Sequence, residues 1–111
     1  MKSLSMVVLL LLSTVALAGE ETWKGVSLVD TMCSAKVKDK PDSHTAECAI
    51  ACASGGFGII ASDGTYLSFD EAGNTKALSL LKSAKKKDHL RATVVGERSG
   101  DSIKVKSIKL D

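Results

Sequence analysis

Histidine is scarce in this chain. Only His44 and His89 occur among 111 residues, so metal-ligating or nucleophilic chemistry has few places to sit. Catalytic signatures are missing as well: there is no G-x-S-x-G elbow, no phosphate loop and no H-E-x-x-H. Gly55-Gly56-Phe57-Gly58 is glycine-rich, but it follows a predicted helix instead of preceding one. It therefore reads as a helix stop and strand entry. Asp70-Glu71 reads as a pair of turn residues. Aromatic rings are also few, with Trp23, Phe57, Tyr66 and Phe69 the complete set. Single-strand nucleic-acid binding wants several stacked rings in a basic groove, and packing can absorb these four. Nor does one sign of charge dominate: 15 Lys+Arg stand against 13 Asp+Glu, a formal net of +2. A protein that coats nucleic acid would be clearly basic. The densest cationic stretch, Lys82 with Lys85-Lys86-Lys87, falls where a helix should end, and cations there complement the negative end of the helix dipole.

What is present begins with an export address. Met1-Lys2 gives a positive start, Leu4 to Leu12 is nearly all apolar, and Ala16-Leu17-Ala18 fits the small-x-small pattern of signal-peptide cleavage. Residues 1–18 are therefore expected to be a signal peptide, cut between Ala18 and Gly19. The apolar stretch is short for a membrane span of about 20 residues, and no stop-transfer cluster follows. No cysteine follows the cut, which argues against a lipoprotein. The expected location is the bacterial periplasm or the secreted fraction, with the mature chain not embedded in a membrane. Removing Lys2 with the leader leaves 14 basic against 13 acidic residues, a net of +1. Residues 19–111 suffice for one domain and one core.

Within that domain, Trp23 to Asp30 reads as a first strand with Trp23, Val26 and Leu28 inward and a bend or bulge at Gly25. Lys36 to Ser43, which holds the single proline Pro41, reads as a loop. A helix is predicted over His44 to Ser54, capped by Asp42 or Ser43 and stopped by Gly55-Gly56, with Ala46, Ala49, Ile50 and Ala53 on one face. Phe57 to Ser62 and Thr65 to Phe69 form a predicted hairpin across a type I′ Asp63-Gly64 turn. A second helix is predicted over Thr75 to Lys85, capped by Asn74, with Ala77, Leu78, Leu81 and Ala84 as its stripe. His89 is expected to be an exposed turn residue. Leu90, Ala92 and Val94 alternate along a fourth strand, and Ile103 and Val105 along a fifth, with Ser99-Gly100 at the turn. Ile108 and Leu110 have the opposite parity, which predicts a bulge near Ser107. The expected class is mostly β: a five-stranded OB-like barrel with one helix after strand 1 and one between strands 3 and 4. A small α+β sheet is the alternative.

Trp23-x-Gly25, Asp30-x-x-Cys33, His44-x3-Cys48-x3-Cys52, Gly55, the Asp63-Gly64 hairpin and the strands from Val95-Gly96 to Ile103-x-Val105 together resemble a group of small secreted bacterial proteins. The resemblance spans nearly all of residues 23–110. It implies an OB-like fold and an exported location, and it brings no activity with it.

The one concentration of reactive side chains is Cys33 with His44, Cys48 and Cys52. On a regular helix positions 44 and 52 lie about 12 Å apart along the axis, so one ion cannot collect His44, Cys48 and Cys52 together. Feasible three-ligand sites are Cys33 with His44 and Cys48, or Cys33 with Cys48 and Cys52. Their sulfurs would favour Cu(I) or Zn²⁺. In an oxidising compartment a disulfide competes. Cys48 and Cys52 are poorly aimed at each other, so Cys33 should be one half. Helical phase favours Cys33–Cys52, a closure that stabilises by roughly 3 kcal/mol in the chain-entropy model, and leaves Cys48 beside His44. Unpaired buried or redox thiols are the third option. A Cys–His nucleophile lacks an orienting third group, because Glu47 turns away on the helix. These readings lead to a non-catalytic exported module that binds an envelope, peptide or carbohydrate ligand. The alternative is a periplasmic protein that binds Cu(I) or Zn²⁺.

Overall fold

The computed structural model describes residues 19–111, and the expected signal peptide lies outside that range. Five strands form a closed barrel: β1 (Glu20–Asp30), β2 (Phe57–Ile60), β3 (Tyr66–Phe69), β4 (Arg91–Ser99) and β5 (Ser102–Leu110). Their order around the barrel is β1-β2-β3-β5-β4, and β1 also pairs with β4. The β3–β5 pair is parallel, and the other pairs are antiparallel. The architecture is the expected mostly-β, OB-like one. Helix α1 (Ser34–Val37) and α2 (Ala46–Ala51) sit in the insert between β1 and β2, while α3 (Glu71–Lys82) joins β3 to β4.

Period-two alternation supplies the core. Val26 and Leu28, Phe57 and Ile59, Leu67 and Phe69, Ala92 and Val94, and Ile103 and Val105 all point inward and are buried. Trp23 packs against them half-buried. Ala49 of α2 and Ala77 and Leu81 of α3 close over this core.

Two bulges let the sheet bend into a barrel. Trp23 faces Val94 and Val26 faces Ala92, so Lys24 and Gly25 together oppose Thr93, with Gly25 at φ +61°. On β5, Ser107 faces Val95 and Val105 faces Gly96, which leaves Lys106 as the extra residue. That insertion reverses the inward parity and brings Ile108 and Leu110 onto the core. Both features lie where the sequence predicts them.

Four local expectations need correction. The hairpin turn is not type I′, which demands positive φ at both central residues. Of Asp63 and Gly64, only Gly64 is left-handed (φ +89°). The bonds Gly64 N to Ala61 O and Ala61 N to Thr65 O, both 2.8 Å, define a three-residue loop ending in a glycine bulge. Helix α3 starts earlier than Thr75, because Asp70 is its cap and accepts from Gly73 N at 3.0 Å. Asp70 is thus no mere turn residue. Asn74 instead accepts from Phe57 N at 2.8 Å, tying the helix to β2, and Ala84 lies beyond the helix end. The stretch Lys36 to Ser43 is more structured than a loop, since it overlaps α1 and holds a 3₁₀ turn at Pro41–Ser43. The first predicted helix is shorter than expected, with consequences for the site below.

Gly73 lies where α3 packs directly against the barrel. A methyl at this position would stand 2.5 Å from Val105 Cγ2 and 2.9 Å from Phe69 Cβ. Alanine gains about 1 kcal/mol of helix propensity, but overpacking a rigid contact costs about 1–3 kcal/mol. Gly73→Ala should therefore lower the denaturant midpoint, and a raised midpoint would show that the helix can lift off the sheet.

Candidate functional site

The polar centre of the molecule is the end of β1. Asp30 is fully buried there. Its Oδ2 accepts from the Cys33 backbone N–H at 3.0 Å, the short-range turn that aspartate favours after a strand. Its Oδ1 lies 2.6 Å from Nε2 of His44, which is also buried. Beside them Thr31 Oγ1 and the Tyr66 hydroxyl share a hydrogen bond of 2.6 Å, and Thr31 N donates to Gly56 O at 2.9 Å. Burial pushes the Tyr66 hydroxyl above its usual pKa; the Thr31 bond opposes that rise and the Asp30 charge adds to it.

His44 reaches Asp30 because it is not helical. Helix α2 begins at Ala46, and its cap is Thr45, whose Oγ1 accepts from Cys48 N at 3.1 Å. His44 is extended (φ −75°, ψ 131°) and closes the Pro41–Ser43 turn by donating its N–H to Pro41 O. The cap is therefore Thr45, and not Asp42 or Ser43 as expected. The predicted neighbourhood of His44 and Cys48 on one helix goes with it. Asp42 has a different task. It accepts two bonds from Arg91, at 2.9 and 2.7 Å, and its carbonyl accepts from His89 N at 3.0 Å. The Arg91 guanidinium holds the Asp42 carboxyl below its usual pKa. This fork pins the insert to the start of β4. His89 itself is exposed, as expected.

The three cysteines separate into a pair and a single residue. Cys33 follows the β1 turn and Cys52 caps the C-terminus of α2. They stand 4.2 Å apart, unbonded. Ligand atoms of Asp30, Cys33 and Cys52 all lie within 4.8 Å of one another. Cys48 is exposed. Of the residues singled out from spacing, Cys33 and Cys52 converge, His44 joins them only through Asp30, and Cys48 faces solvent. Asp30 is the member that spacing missed. Its signal was the Asp-x-x-Cys step at a strand end, where a carboxylate three residues before an N–H caps a turn. The Cys33 thiol pKa is raised, first by burial and then by the negative charge of Asp30 and the neighbouring Cys52.

A second kind of surface lies at the other side of the insert. A concavity of about 520 Å³ is lined by the apolar side chains of Leu80, Leu90, Ile108 and Leu110, by the cations Lys85, Lys86, Arg91 and Lys109, and by one carboxylate, Asp111. It adjoins a smaller one of about 320 Å³ that shares Ala84, Lys85 and Lys86 and reaches Ala46 and Ile50 of α2. Of the lysine run expected at a helix end, Lys82 is the last helical residue, and Lys85, Lys86 and Lys87 follow it and line these hollows.

No family model matches the chain, and neither does any curated protein or solved structure.

Removing the hydrogen-bond partner of a buried polar group leaves that group unsatisfied, at a cost of about 1–3 kcal/mol. His44→Ala should therefore lower the unfolding free energy by about that much, whereas Cys48→Ala on the exposed face should change it by no more than about 0.5 kcal/mol. Chemical denaturation of both variants checks this, and equal small effects would show the Asp30 pairing to be dispensable. The thiols give a second outcome. Exposed Cys48 should be alkylated first near neutral pH, since the raised pKa of Cys33 keeps its thiolate fraction low. Under mild oxidation Cys33 and Cys52 should join, leaving Cys48 free. Peptide mapping reads both results, and a mapped Cys48–Cys52 link would contradict the arrangement.

Proposed function

We propose that this protein is a non-catalytic, exported module of the bacterial cell envelope that works by binding. The observation that carries this reading is the paired concavity at the end of α3, lined by apolar side chains and, in both halves, by Lys85 and Lys86. Such an apolar and cationic lining complements an extended peptide that carries both apolar and acidic side chains. A neutral carbohydrate would leave the lysines without a partner, and nucleic acid would want stacking rings the site lacks. Asp30 and His44 satisfy each other and form no part of this lining, which fits a site for binding over one for chemistry. Export rests on the leader pattern alone, and it places the ligand among envelope components.

A second reading, a periplasmic protein that holds Cu(I) or Zn²⁺, is favoured by the convergence of Cys33 and Cys52 on Asp30.

The binding reading is tested on exported material, whose mass should correspond to a chain starting at Gly19. Titration with an acidic, leucine-containing peptide should shift the amide resonances of Leu90, Ile108 and Leu110. The affinity should fall with added salt and on Lys85→Glu with Lys86→Glu. An unchanged spectrum, or shifts confined to β2 and β3, would refute the assignment of this surface.

A further inference from the structure

We infer that Asp30, Cys33 and Cys52 form a three-donor site for Zn²⁺, with His44 as the positioning residue that holds the carboxylate. The inference rests on the metal-binding reading and gives it a ligand set that spacing alone did not supply. The donor atoms lie within 4.8 Å of one another, and the cysteine pair is 4.2 Å apart. Zinc–sulfur bonds near 2.3 Å and zinc–oxygen bonds near 2.0–2.2 Å place tetrahedral donors roughly 3.5–3.8 Å apart. Closing the site thus asks for movements of about 1 Å or less at each donor, within reach of side-chain rotation at two half-buried thiols.

Ligand chemistry selects the ion. Two thiolates alone would suit Cu(I), but a carboxylate oxygen is a hard donor and moves the preference toward borderline Zn²⁺. Asp30 is also prepared for the task. His44 Nε2 engages Oδ1 and the Cys33 N–H engages Oδ2, so the carboxylate plane is fixed while each oxygen keeps a second lone pair. Ligands braced in this way are the rule at metal centres, and losing the brace typically costs 10–100-fold in affinity. On binding, two S–H bonds give way to two zinc–sulfur bonds and both protons pass to solvent. Three protein donors would leave a fourth position for water or another ligand. Neither His44 nor Cys48 is a ligand in this assignment.

The same sulfurs cannot serve the ion and a disulfide together. A small-molecule disulfide oxidises the pair by thiol–disulfide exchange: two protein thiols become one Cys33–Cys52 bond, and the oxidant leaves as two thiols. The oxidised protein should bind no zinc.

Titration of the reduced protein with Zn²⁺, followed by native mass spectrometry, should show one ion per chain, and Co²⁺ should give thiolate-to-metal absorption in the near ultraviolet. Bound Zn²⁺ should protect Cys33 and Cys52, but not Cys48, from alkylation in the unaltered protein, so the result does not depend on any variant folding. Cys33→Ser and Cys52→Ser should each abolish binding, and Cys48→Ser should leave it unchanged. His44→Gln should weaken it about 10–100-fold while keeping the thiolate absorption. Loss of the ion on Cys48→Ser would overturn this ligand set yet leave the metal reading standing. No ion on the reduced protein would overturn both. Preference for Cu(I), indifferent to Asp30→Asn, would overturn the choice of zinc, and an unchanged affinity in His44→Gln would remove its positioning role.

Discussion

A carboxylate with no exposure to water, at the end of the first strand, is the constraint around which this molecule is arranged. Burying such a charge costs several kcal/mol unless it is paired and hydrogen-bonded. Asp30 meets that condition with one long-range partner, His44, and one local partner, the Cys33 N–H. The local bond fixes the turn that carries Cys33. The long-range bond requires the chain to return beneath β1 fourteen residues later, at a residue with extended backbone. Helix α2 can then start only after Thr45, and its C-terminal cap brings Cys52 back to the same turn. The path of the whole insert follows from satisfying one buried group.

The barrel supplies the rigidity that makes such a group tolerable. Strands β2 and β3 are four residues each, so closure depends on the longer β1, β4 and β5 bending. Bulges at Lys24-Gly25 and Lys106 provide the bend, and each resets which residues face inward. Because the first bulge comes before Val26, the second half of β1 pairs with β2 and ends with Asp30 opposite Phe57. Asn74 then accepts from the Phe57 N–H, so α3 is locked to the same strand end. The Asp42–Arg91 fork ties the other end of the insert to the start of β4.

Much of this was legible in the sequence, because the features concerned are local and periodic. Alternation identified inward residues of β1, β4 and β5, while β2 and β3 were legible as a hairpin. Gly25 and the parity slip after Val105 located both bulges, since side-chain period two leaves no other way to change faces. The helix starts were misread for a common reason. Asp70, Asn74, Asp42, Ser43 and Thr45 are all acceptable cap residues by type, and the choice among them is made by distant partners. Asn74 is claimed by Phe57 and Asp42 by Arg91, which leaves Asp70 and Thr45 to cap. Asp30 escaped notice as a site residue for the same reason. Its partner is fourteen positions away, in a segment that the sequence pattern assigns to a helix two residues before that helix begins.

The correction also changes what the cysteines can do. With His44 on the helix, Cys48 would have had an imidazole to stabilise its thiolate. With His44 turned inward, Cys48 is an exposed thiol without that neighbour, and the raised pKa belongs to Cys33. Burial and the neighbouring Asp30 carboxylate disfavour thiolate charge on Cys33. Three states escape that penalty: a neutral dithiol, a disulfide, and a pair of thiolates neutralised by a cation. The first two need no ion, and redox conditions choose between them. The third trades two protons for one divalent charge and gains a fixed oxygen donor that a bare thiol pair lacks. Asp30 opposes thiolates at this site when they stand alone and supports them when a metal accompanies them, so one buried carboxylate ties the oxidation state of the pair to its occupancy.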